Sequence, residues 1–295
     1  MRIDLHTHSD ASDGTRPPAE VVRRAREAGL DVLALTDHDT VAGWDEAWAA
    51  LPDGLTLVPG IELSCRYDGR SLHLLGYLFD PDAPGLAGEL ARIRAHRLDR
   101  ARSMVDRLRA LGADVTWERV RELSGGEVVG RPHVARAMVE AGVVATVDDA
   151  FTQDWIGSGG RAHVGPYPLD PVRAVQLVRE AGGACVLAHP RSRKRGYVFG
   201  DEVIEELAAA GLAGVETDHP DHAPEDRARL RDVAAALGLL ITGSSDDHGE
   251  MTGDRLGSET TSPEDYAALL AAAPGGGRLG NRPASAGAEG LRSCR

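Results

Sequence analysis

Short apolar runs of strand length alternate with helical patterns over most of the chain, and this alternation limits the folds open to it. The run Val32–Leu35 precedes a helix predicted at about 42–51, and Ala184–Leu187 precedes another at about 201–210. Repeated strand–helix units of this kind are typical of parallel strands, either in an open sheet or closed into a barrel. The sequence therefore predicts an α/β fold.

The position of the polar clusters separates the open sheet from the barrel. Six clusters each follow an apolar run at its C-terminal end. In a barrel these ends meet at one mouth, where barrel enzymes have their active sites, whereas an open sheet would spread them along an edge. We therefore expect a barrel. The six clusters are His6/His8, Asp37/His38, Glu62, His189, Glu216 and Asp246/His248.

The alternation stops between about residues 80 and 160. This segment has one long helix pattern at about 86–111 and several shorter ones. Arginines of the long helix alternate with Glu and Asp, which predicts an exposed face. We expect a barrel formed by 1–80 and 160–273, a helical insertion at 81–159 that caps the substrate site, and a disordered Gly/Pro/Ala/Ser/Arg-rich tail at 274–295.

Composition excludes some classes of partner. The formal net charge is −13, whereas an extended nucleic-acid surface would be basic. No apolar run approaches the roughly 18 residues of a membrane span, and the N-terminus shows no apolar signal core. Three cysteines without a CxxC pair fit a reducing compartment. We therefore expect a soluble cytoplasmic protein with no membrane partner and no extended nucleic-acid surface.

The spacing of histidines and carboxylates predicts a metal centre. His6 and His8 are two residues apart, which places both imidazoles on one face of a strand end, and Asp246 and His248 repeat that spacing. Glu62 interrupts an apolar strand, where a charged residue is costly unless it is paired or coordinated. The nine candidate ligands are His6, His8, Asp13, His38, Glu62, His73, His189, Asp246 and His248.

The charge of this set indicates the chemistry. Six neutral imidazoles and three carboxylates would hold two to three divalent ions, and three ions would leave a positive surplus that matches a phosphate. Mixed nitrogen and oxygen ligands suit manganese, iron or zinc, and of these we expect manganese. Adjacent ions about 3.5–4 Å apart would bridge an attacking hydroxide. No Ser or Cys nucleophile with a partner base stands out, so direct attack by water is the simpler mechanism.

Asp68-Gly69 predicts a hairpin turn, and His73 lies in the second strand of that hairpin. Six motifs in order resemble the PHP (polymerase and histidinol phosphatase) superfamily: HTHSDASDGT, TDHDT, PGIELS, this hairpin histidine, LAHP and SSDDHG. The resemblance implies a distorted (β/α)7 TIM-like barrel with a trinuclear centre. It assigns His6, His8, Glu62 and Asp246 to the first metal, Glu62, His73 and His189 to the second, and Asp13, His38 and His248 to the third. It also implies that Asp37 orients a ligand or accepts a proton.

The insertion resembles the branch of that superfamily that contains 3′,5′-nucleotide bisphosphatases, which also trim short RNA from the 5′ end. Arg131, Pro132 and His133 resemble its substrate-binding element, at a helix start where anions are favoured. The chain departs from the family pattern at Asp247, where an aromatic residue often stands. The predicted substrate-binding residues are Arg131, His133, Arg191, Arg193 and Lys194.

The sequence is compatible with several functions. The favoured one is a metal-dependent phosphoesterase acting on a small phosphorylated substrate, either a nucleotide bisphosphate or the 5′ end of a short oligonucleotide. Alternatives are a histidinol-phosphate or other small-molecule phosphatase, a hydrolase of amides or lactones, and a non-catalytic PHP interaction module. His219 either donates a proton to the leaving oxygen or belongs to a capped loop ahead of the helix near Pro224.

Overall fold

The computed structural model describes residues 1–125, 128–165, 167–195, 197–275 and 280–281. Eight strands lie in this part of the chain: β1 (Ile3–Asp4), β2 (Val32–Leu35), β3 (Thr56–Tyr67), β4 (Arg70–Tyr77), β5 (Ala184–Leu187), β6 (Gly214–Asp218), β7 (Leu240–Gly243) and β8 (Gly280–Asn281). Most of the tail that the sequence predicts to be disordered lies outside the described residues.

Ten helices connect and cover these strands in the described part of the chain. They are α1 (Pro18–Glu27), α2 (Trp44–Ala49), α3 (Pro84–Ala110), α4 (Trp117–Ser124), α5 (Arg131–Glu140), α6 (Val147–Ala150), α7 (Pro171–Glu180), α8 (Asp201–Ala209), α9 (Pro224–Leu237) and α10 (Pro263–Ala272). None of the described helices is long and apolar enough to cross a membrane.

The first seven strands pair in chain order. The pairs β1–β2, β2–β3, β5–β6 and β6–β7 are parallel, and β4 runs antiparallel to both of its neighbours. The hairpin at Asp68-Gly69 causes this reversal, because a two-residue turn joins only antiparallel strands. Both turn residues have positive φ, 46° at Asp68 and 77° at Gly69, as tight hairpin turns require.

The loops after β1 and β7 bring the two ends of the sheet together. Thr7 forms a parallel bridge with Asp247, and the His8 amide donates to the Asp247 carbonyl over 2.9 Å. The seven strands therefore form a nearly closed barrel, and the predicted distorted (β/α)7 TIM-like architecture is confirmed. Asp247, which departs from the family pattern, contributes backbone to this contact.

Buried residues at alternate positions of the strands form one apolar cluster with α10. The sequence did not predict this helix. Ile3, Val32 and Val186 belong to this cluster together with Leu269 of α10. A second and larger cluster packs the barrel strands against the surrounding helices. Layered apolar side chains of this kind fill the interior of a barrel and leave its carboxyl end for polar groups.

The long helix α3 joins the barrel to the helices that follow it. Its first half places Leu90 and Ile93 in the cluster around the strands. Its second half places Val105 and Leu108 in a separate apolar cluster that is confined to residues 98–162. Because one continuous helix contributes to both clusters, it fixes the position of α4–α6 beside the barrel mouth.

Candidate metal centre

The loop after β1 carries the first two ligand-type side chains. His6 and His8 are both buried, and their Nε2 atoms lie 3.1 Å apart. The His6 Nδ1–H donates to Glu216 over 3.1 Å, and Glu216 also accepts from the His189 amide over 2.7 Å. A carboxylate on the far nitrogen fixes the imidazole orientation and directs Nε2 into the barrel mouth.

Glu62 lies at the middle of the histidine cluster. Its Oε2 is 3.3 Å from His6 Nε2, 3.2 Å from His8 Nε2 and 3.1 Å from His38 Nδ1. Its Oε1 is 3.0 Å from His189 Nε2 and also contacts His73 Nδ1. One carboxylate therefore contacts five imidazoles, which is the arrangement expected of a ligand shared between two cations.

Asp246 and Asp13 complete the cluster on its other side. Asp246 Oδ1 is 3.4 Å from His6 Nε2 and 3.3 Å from His8 Nε2. Asp13 Oδ1 is 3.4 Å from His248 Nε2, and its Oδ2 is 3.7 Å from His38 Nε2. Chain segments far apart in sequence thus converge at the carboxyl end of the barrel.

Three groups of these side chains have ligand atoms within 4.8 Å of one another: His6/His8/Glu62/Asp246, His8/Asp13/His38/His248 and His38/Glu62/His73. In the first group the five separations among nitrogen and carboxylate atoms are 3.1–3.4 Å. A tetrahedron with ligands about 2.0–2.1 Å from its centre has edges of about 3.3–3.4 Å. The donor set therefore fits a divalent transition metal.

Buried atoms without partners support the same conclusion. Within the described part of the chain, His8 Nδ1, His38 Nδ1 and Asp246 Oδ1 are buried and make no hydrogen bond. Such atoms are rare in native proteins and call for an ion or a water. Strained backbone accompanies them, since φ is 29° at His189 and 49° at Asp246, and such conformations cluster at functional sites.

Electrostatics couples the carboxylates to the imidazoles. Burial alone would raise the pKa of Glu62, but His38, His73 and His6 hold it well below the usual range. Burial opposes protonation of His8, yet the carboxylates of Asp246 and Glu62 raise its pKa to about 10. The centre therefore binds positive charge strongly, and protons stand in for cations when no metal is bound.

Two predicted catalytic residues lie around the ligands. The Asp37 carboxylate accepts from the Ser9 amide at 2.8 Å, the Ser9 hydroxyl at 2.7 Å and the Ser12 hydroxyl at 2.6 Å. It therefore holds the loop that carries Asp13. His219 Nδ1 accepts from the Asp221 amide, which leaves the proton on Nε2, 3.3 Å from Asp246 Oδ2.

Three residues of the predicted basic segment differ in their placement. Arg191 is buried, and its guanidinium donates to the Phe199 carbonyl and to Asp201, so it closes its own loop. Arg193 is exposed, and its guanidinium donates to Asp226 over 2.8 Å. Lys194 Nζ lies 2.8 Å from Asp221 Oδ1. Each of the three cations is therefore paired with its own carboxylate, from α8, from α9 or from the loop before α9.

His133 and Arg131 open α5 as the sequence predicts, but they face different surroundings. His133 is buried, and its Nδ1 accepts from the Gly130 amide over 3.0 Å. Burial lowers the pKa of His133 to about 4, so it is a neutral cap of the helix. Arg131 lies over the Phe151 ring, with the guanidinium carbon 5.3 Å from the ring centroid.

A cleft of about 410 Å³ lies between the candidate metal ligands and the helices that follow β4. Its lining includes His73, His189, Arg70, Arg100 and Arg131. Burial is the main cause that lowers the pKa of Arg100 to about 9, and the nearby charges of Arg131 and Arg97 add a positive potential on this side of the cleft. Such a potential at the side of a cleft attracts anions.

Sequence reasoning missed the arginines of α3 in this cleft. Arg97 and Arg100 both line it, and Arg97 is buried, so the predicted exposed face is wrong for these two positions. The reason is that α3 is covered on this side by the loops of the barrel mouth. The spacing of three residues between Arg94, Arg97 and Arg100 was the available signal, because it places them on one helix face.

An α/β barrel with convergent imidazoles and carboxylates at its carboxyl end defines a metal-dependent hydrolase. The family model described as the PHP domain matches residues 4–78. A solved structure from Bifidobacterium adolescentis, assigned as a metal-dependent phosphoesterase, is 35% identical with a TM-score of 0.85, and the match covers 92% of this chain and 96% of that one. The chain belongs to the PHP family of metal-dependent phosphoesterases.

Three curated relatives have similar length and different activities. The 5′-3′ exoribonuclease of Haemophilus influenzae is 35% identical, and the match covers 84% of this chain and 90% of the relative. The 3′,5′-nucleoside bisphosphate phosphatase of Chromobacterium violaceum is 34% identical, with 86% and 89% covered. The phosphoribosyl 1,2-cyclic phosphate 1,2-diphosphodiesterase of Eggerthella lenta is 34% identical, with 85% and 95% covered.

Proposed function

We propose that this phosphoesterase hydrolyses phosphate esters of nucleotides, with nucleoside 3′,5′-bisphosphates as the simplest substrates. The observation that carries the proposal is one cleft lined by both metal-ligand side chains and arginines. A substrate with one phosphate at Glu62 and His189 can place a second phosphate at Arg131 and Arg100. The names of two relatives, a bisphosphate phosphatase and an exoribonuclease, support nucleotides as the substrate class.

We further propose that the nine ligand-type residues hold two to three divalent ions, with manganese preferred. Mixed nitrogen and oxygen donors suit manganese, iron and zinc. When bound, such ions lower the pKa of water and neutralise the charge that develops on the phosphoryl oxygens. Glu62 would be shared between ions, because it contacts imidazoles of all three ligand groups.

Side chains around the candidate ligands would orient the ligands and the substrate. Glu216 fixes His6 through Nδ1, and Asp37 holds the loop of Asp13. His219 has its Nε2 proton at the edge of the ligand cluster, beside Asp246, from where it can donate to the leaving oxygen. Arg131 would hold the second phosphate by charge and by its place in the first turn of α5.

Two alternatives differ in substrate or in class. A histidinol-phosphate phosphatase would need only one phosphate site, so the arginines of the large cleft favour a substrate with two. A non-catalytic interaction module would have no need for a complete ligand set, whereas all nine ligand-type positions are filled.

A phosphate-release screen of the manganese-loaded protein tests the proposal. The panel should hold nucleoside 3′,5′-bisphosphates, 5′-mononucleotides, histidinol phosphate, a 1,2-cyclic phosphoribosyl ester and short 5′-phosphorylated RNA. We expect the highest kcat/KM on the bisphosphates or the RNA. A preference for histidinol phosphate or for the cyclic ester would overturn the nucleotide assignment, and no activity on the whole panel would overturn phosphoester hydrolysis of these substrates altogether.

A further inference from the structure

The metal ligands also face a second and smaller cleft, and we propose that this cleft binds the nucleotide that follows the scissile phosphate in a phosphodiester. The inference rests on the proposed function, because it takes the ligand cluster as the place of phosphate cleavage. The smaller cleft has a volume of about 210 Å³, against about 410 Å³ for the larger one.

The two clefts meet at the metal ligands. Asp13, His189, Asp246 and His248 line both of them, as does Pro132 at the start of α5. A phosphate held by these residues therefore faces two spaces. A terminal phosphate has a substituent on one side alone, whereas a phosphodiester has one on each side.

The walls of the smaller cleft carry their own cations. Lys194 and Arg255 line it together with Asp221. Lys194 Nζ is 2.8 Å from Asp221 Oδ1, and Arg255 lies 3.9 Å from the same oxygen. The Asp221 carboxylate thus lies beside two cations at the wall of the cleft.

Arg255 also reaches the ligand cluster. A terminal NH2 donates to the Asp246 carbonyl over 2.7 Å and lies 3.4 Å from Asp246 Oδ2. Its Nε is buried and makes no hydrogen bond within the part of the chain that the structure describes. A donor left in this state beside a cleft is suited to a phosphate or ribose oxygen of a ligand.

The two clefts define the direction in which an oligonucleotide would bind. The terminal nucleotide, with its 5′-phosphate at Arg131, lies in the larger cleft, and the next nucleotide lies in the smaller one. Water attacks the phosphorus between them, the bond from phosphorus to the 3′ oxygen of the terminal nucleotide breaks, and that oxygen leaves as an alcohol with one proton, while the phosphate stays on the 5′ oxygen of the next nucleotide. A 3′,5′-bisphosphate loses its 3′-phosphate at the same centre, and neither Lys194 nor Arg255 contacts it.

The test compares two substrates that differ only beyond the scissile phosphate. A 5′-phosphorylated dinucleotide has a following nucleoside, and the matching nucleoside 3′,5′-bisphosphate has none. We expect Lys194→Ala and Arg255→Gln, loaded with manganese, to lose about tenfold or more in kcat/KM on the dinucleotide. The bisphosphate should change less than about twofold in Lys194→Ala, whose side chain pairs with Asp221 and not with a candidate ligand. Arg231→Ala, which removes an exposed cation paired with Asp218, is the matched control and should act normally on both.

The possible results separate this inference from the proposed function. Equal losses on both substrates would mean that Lys194 and Arg255 support the ligand cluster, and no loss on the dinucleotide in either variant would mean that the cleft binds nothing. A wild-type enzyme that cleaves the bisphosphate but not the dinucleotide would refute the second site alone. Failure of the wild type on both would refute the proposed function as well.

Discussion

Arg97 of α3 and Asp39 of the barrel mouth form a buried ion pair across 58 residues of sequence. The Arg97 Nε donates to Asp39 Oδ2 over 2.6 Å, and an NH2 of the same guanidinium donates to the Ser64 hydroxyl over 2.7 Å. Asp39 Oδ1 accepts from the Ser64 amide over 2.7 Å. Asp39 follows His38, and Ser64 is two residues after Glu62, so the pair fixes the backbone that carries two of the candidate ligands.

Breaking this pair should destabilise the protein strongly. Arg97→Leu leaves Asp39 buried without its cation, which costs about 3–5 kcal/mol. We expect urea denaturation to show a loss of this size in Arg97→Leu and a smaller loss in Arg92→Ala, which removes an exposed arginine of the same helix. A double-mutant cycle with Asp39→Asn should give a coupling energy above about 1 kcal/mol. Simple additivity in that cycle would contradict the ion pair.

This pair shows what sequence reasoning leaves out. The strand-end histidines are recognisable, because an apolar run predicts where the chain enters the barrel mouth and two-residue spacing predicts a shared face. Arg97 looks like any other solvated helical arginine, because its burial depends on a barrel loop that is distant in sequence. The spacing of Arg94, Arg97 and Arg100 indicates a shared helix face, but nothing local indicates that a barrel loop covers that face.

The closure of the barrel illustrates the same limit. Alternating strands and helices predict the barrel, and the Asp68-Gly69 turn predicts the reversed strand β4. The bridge between Thr7 and Asp247 joins loops rather than apolar runs, so nothing in either segment marks it. Helix α10 was not predicted, because it packs against barrel strands that are distant in sequence.

Glu62→Gln should abolish most activity and reduce the metal content. The amide keeps the volume of the side chain but removes the negative charge that faces five imidazoles. We expect kcat/KM on any substrate to fall by about a hundredfold or more, and elemental analysis to find fewer bound ions than in the wild type. Glu140→Gln, at an exposed ion pair with Arg119, is the control. Full metal content with normal turnover in Glu62→Gln would remove Glu62 from the ligand set.

Removal of the metal should make the free energy of unfolding decrease as the pH rises above 7. In the metal-free protein the His8 pKa is raised to about 10, above its unfolded value of about 6.5. The stability from this proton is complete below pH 6.5 and is lost as the pH rises toward 10. Urea denaturation of chelated protein should therefore show a falling free energy of unfolding between pH 7 and pH 10. Manganese-loaded protein should lack this decline, since a metal-bound imidazole carries no second proton. An equal decline in the chelated and the manganese-loaded protein would disprove the assignment of His8 as a metal ligand.

Glu216→Gln should weaken metal binding without removing a ligand. Glu216 is fully buried and accepts from His6 and from the His189 amide. Loss of a carboxylate behind a metal-bound histidine typically costs about 10–100-fold in metal affinity. Titration of the chelated variant with manganese should show this weakening, and kcat at saturating manganese should recover in part. Unchanged affinity would mean that Glu216 acts only in folding.

Arg131→Ala tests where the second phosphate binds. Truncating one partner of a buried charge contact costs about 2–4 kcal/mol, so we expect kcat/KM on a 3′,5′-bisphosphate to fall by about 30-fold or more. Hydrolysis of p-nitrophenyl phosphate should be nearly unchanged, because that ester has no second phosphate to reach the arginine. Arg102→Ala removes an arginine that lies over Trp117 in the helical segment, and it serves as the control for lost charge.

The outcomes of this comparison differ in what they exclude. Equal losses on both substrates would place Arg131 in support of the metal ligands or of the fold, and Tm would then fall with activity. Normal activity on both would transfer the second phosphate to Arg100, which lines the same cleft beside the metal ligands. Arg100→Gln would then have to lose activity on the bisphosphate but not on p-nitrophenyl phosphate. In the described part of the chain, the Arg100 guanidinium donates one hydrogen bond, to the Val164 carbonyl, and so remains available to a ligand.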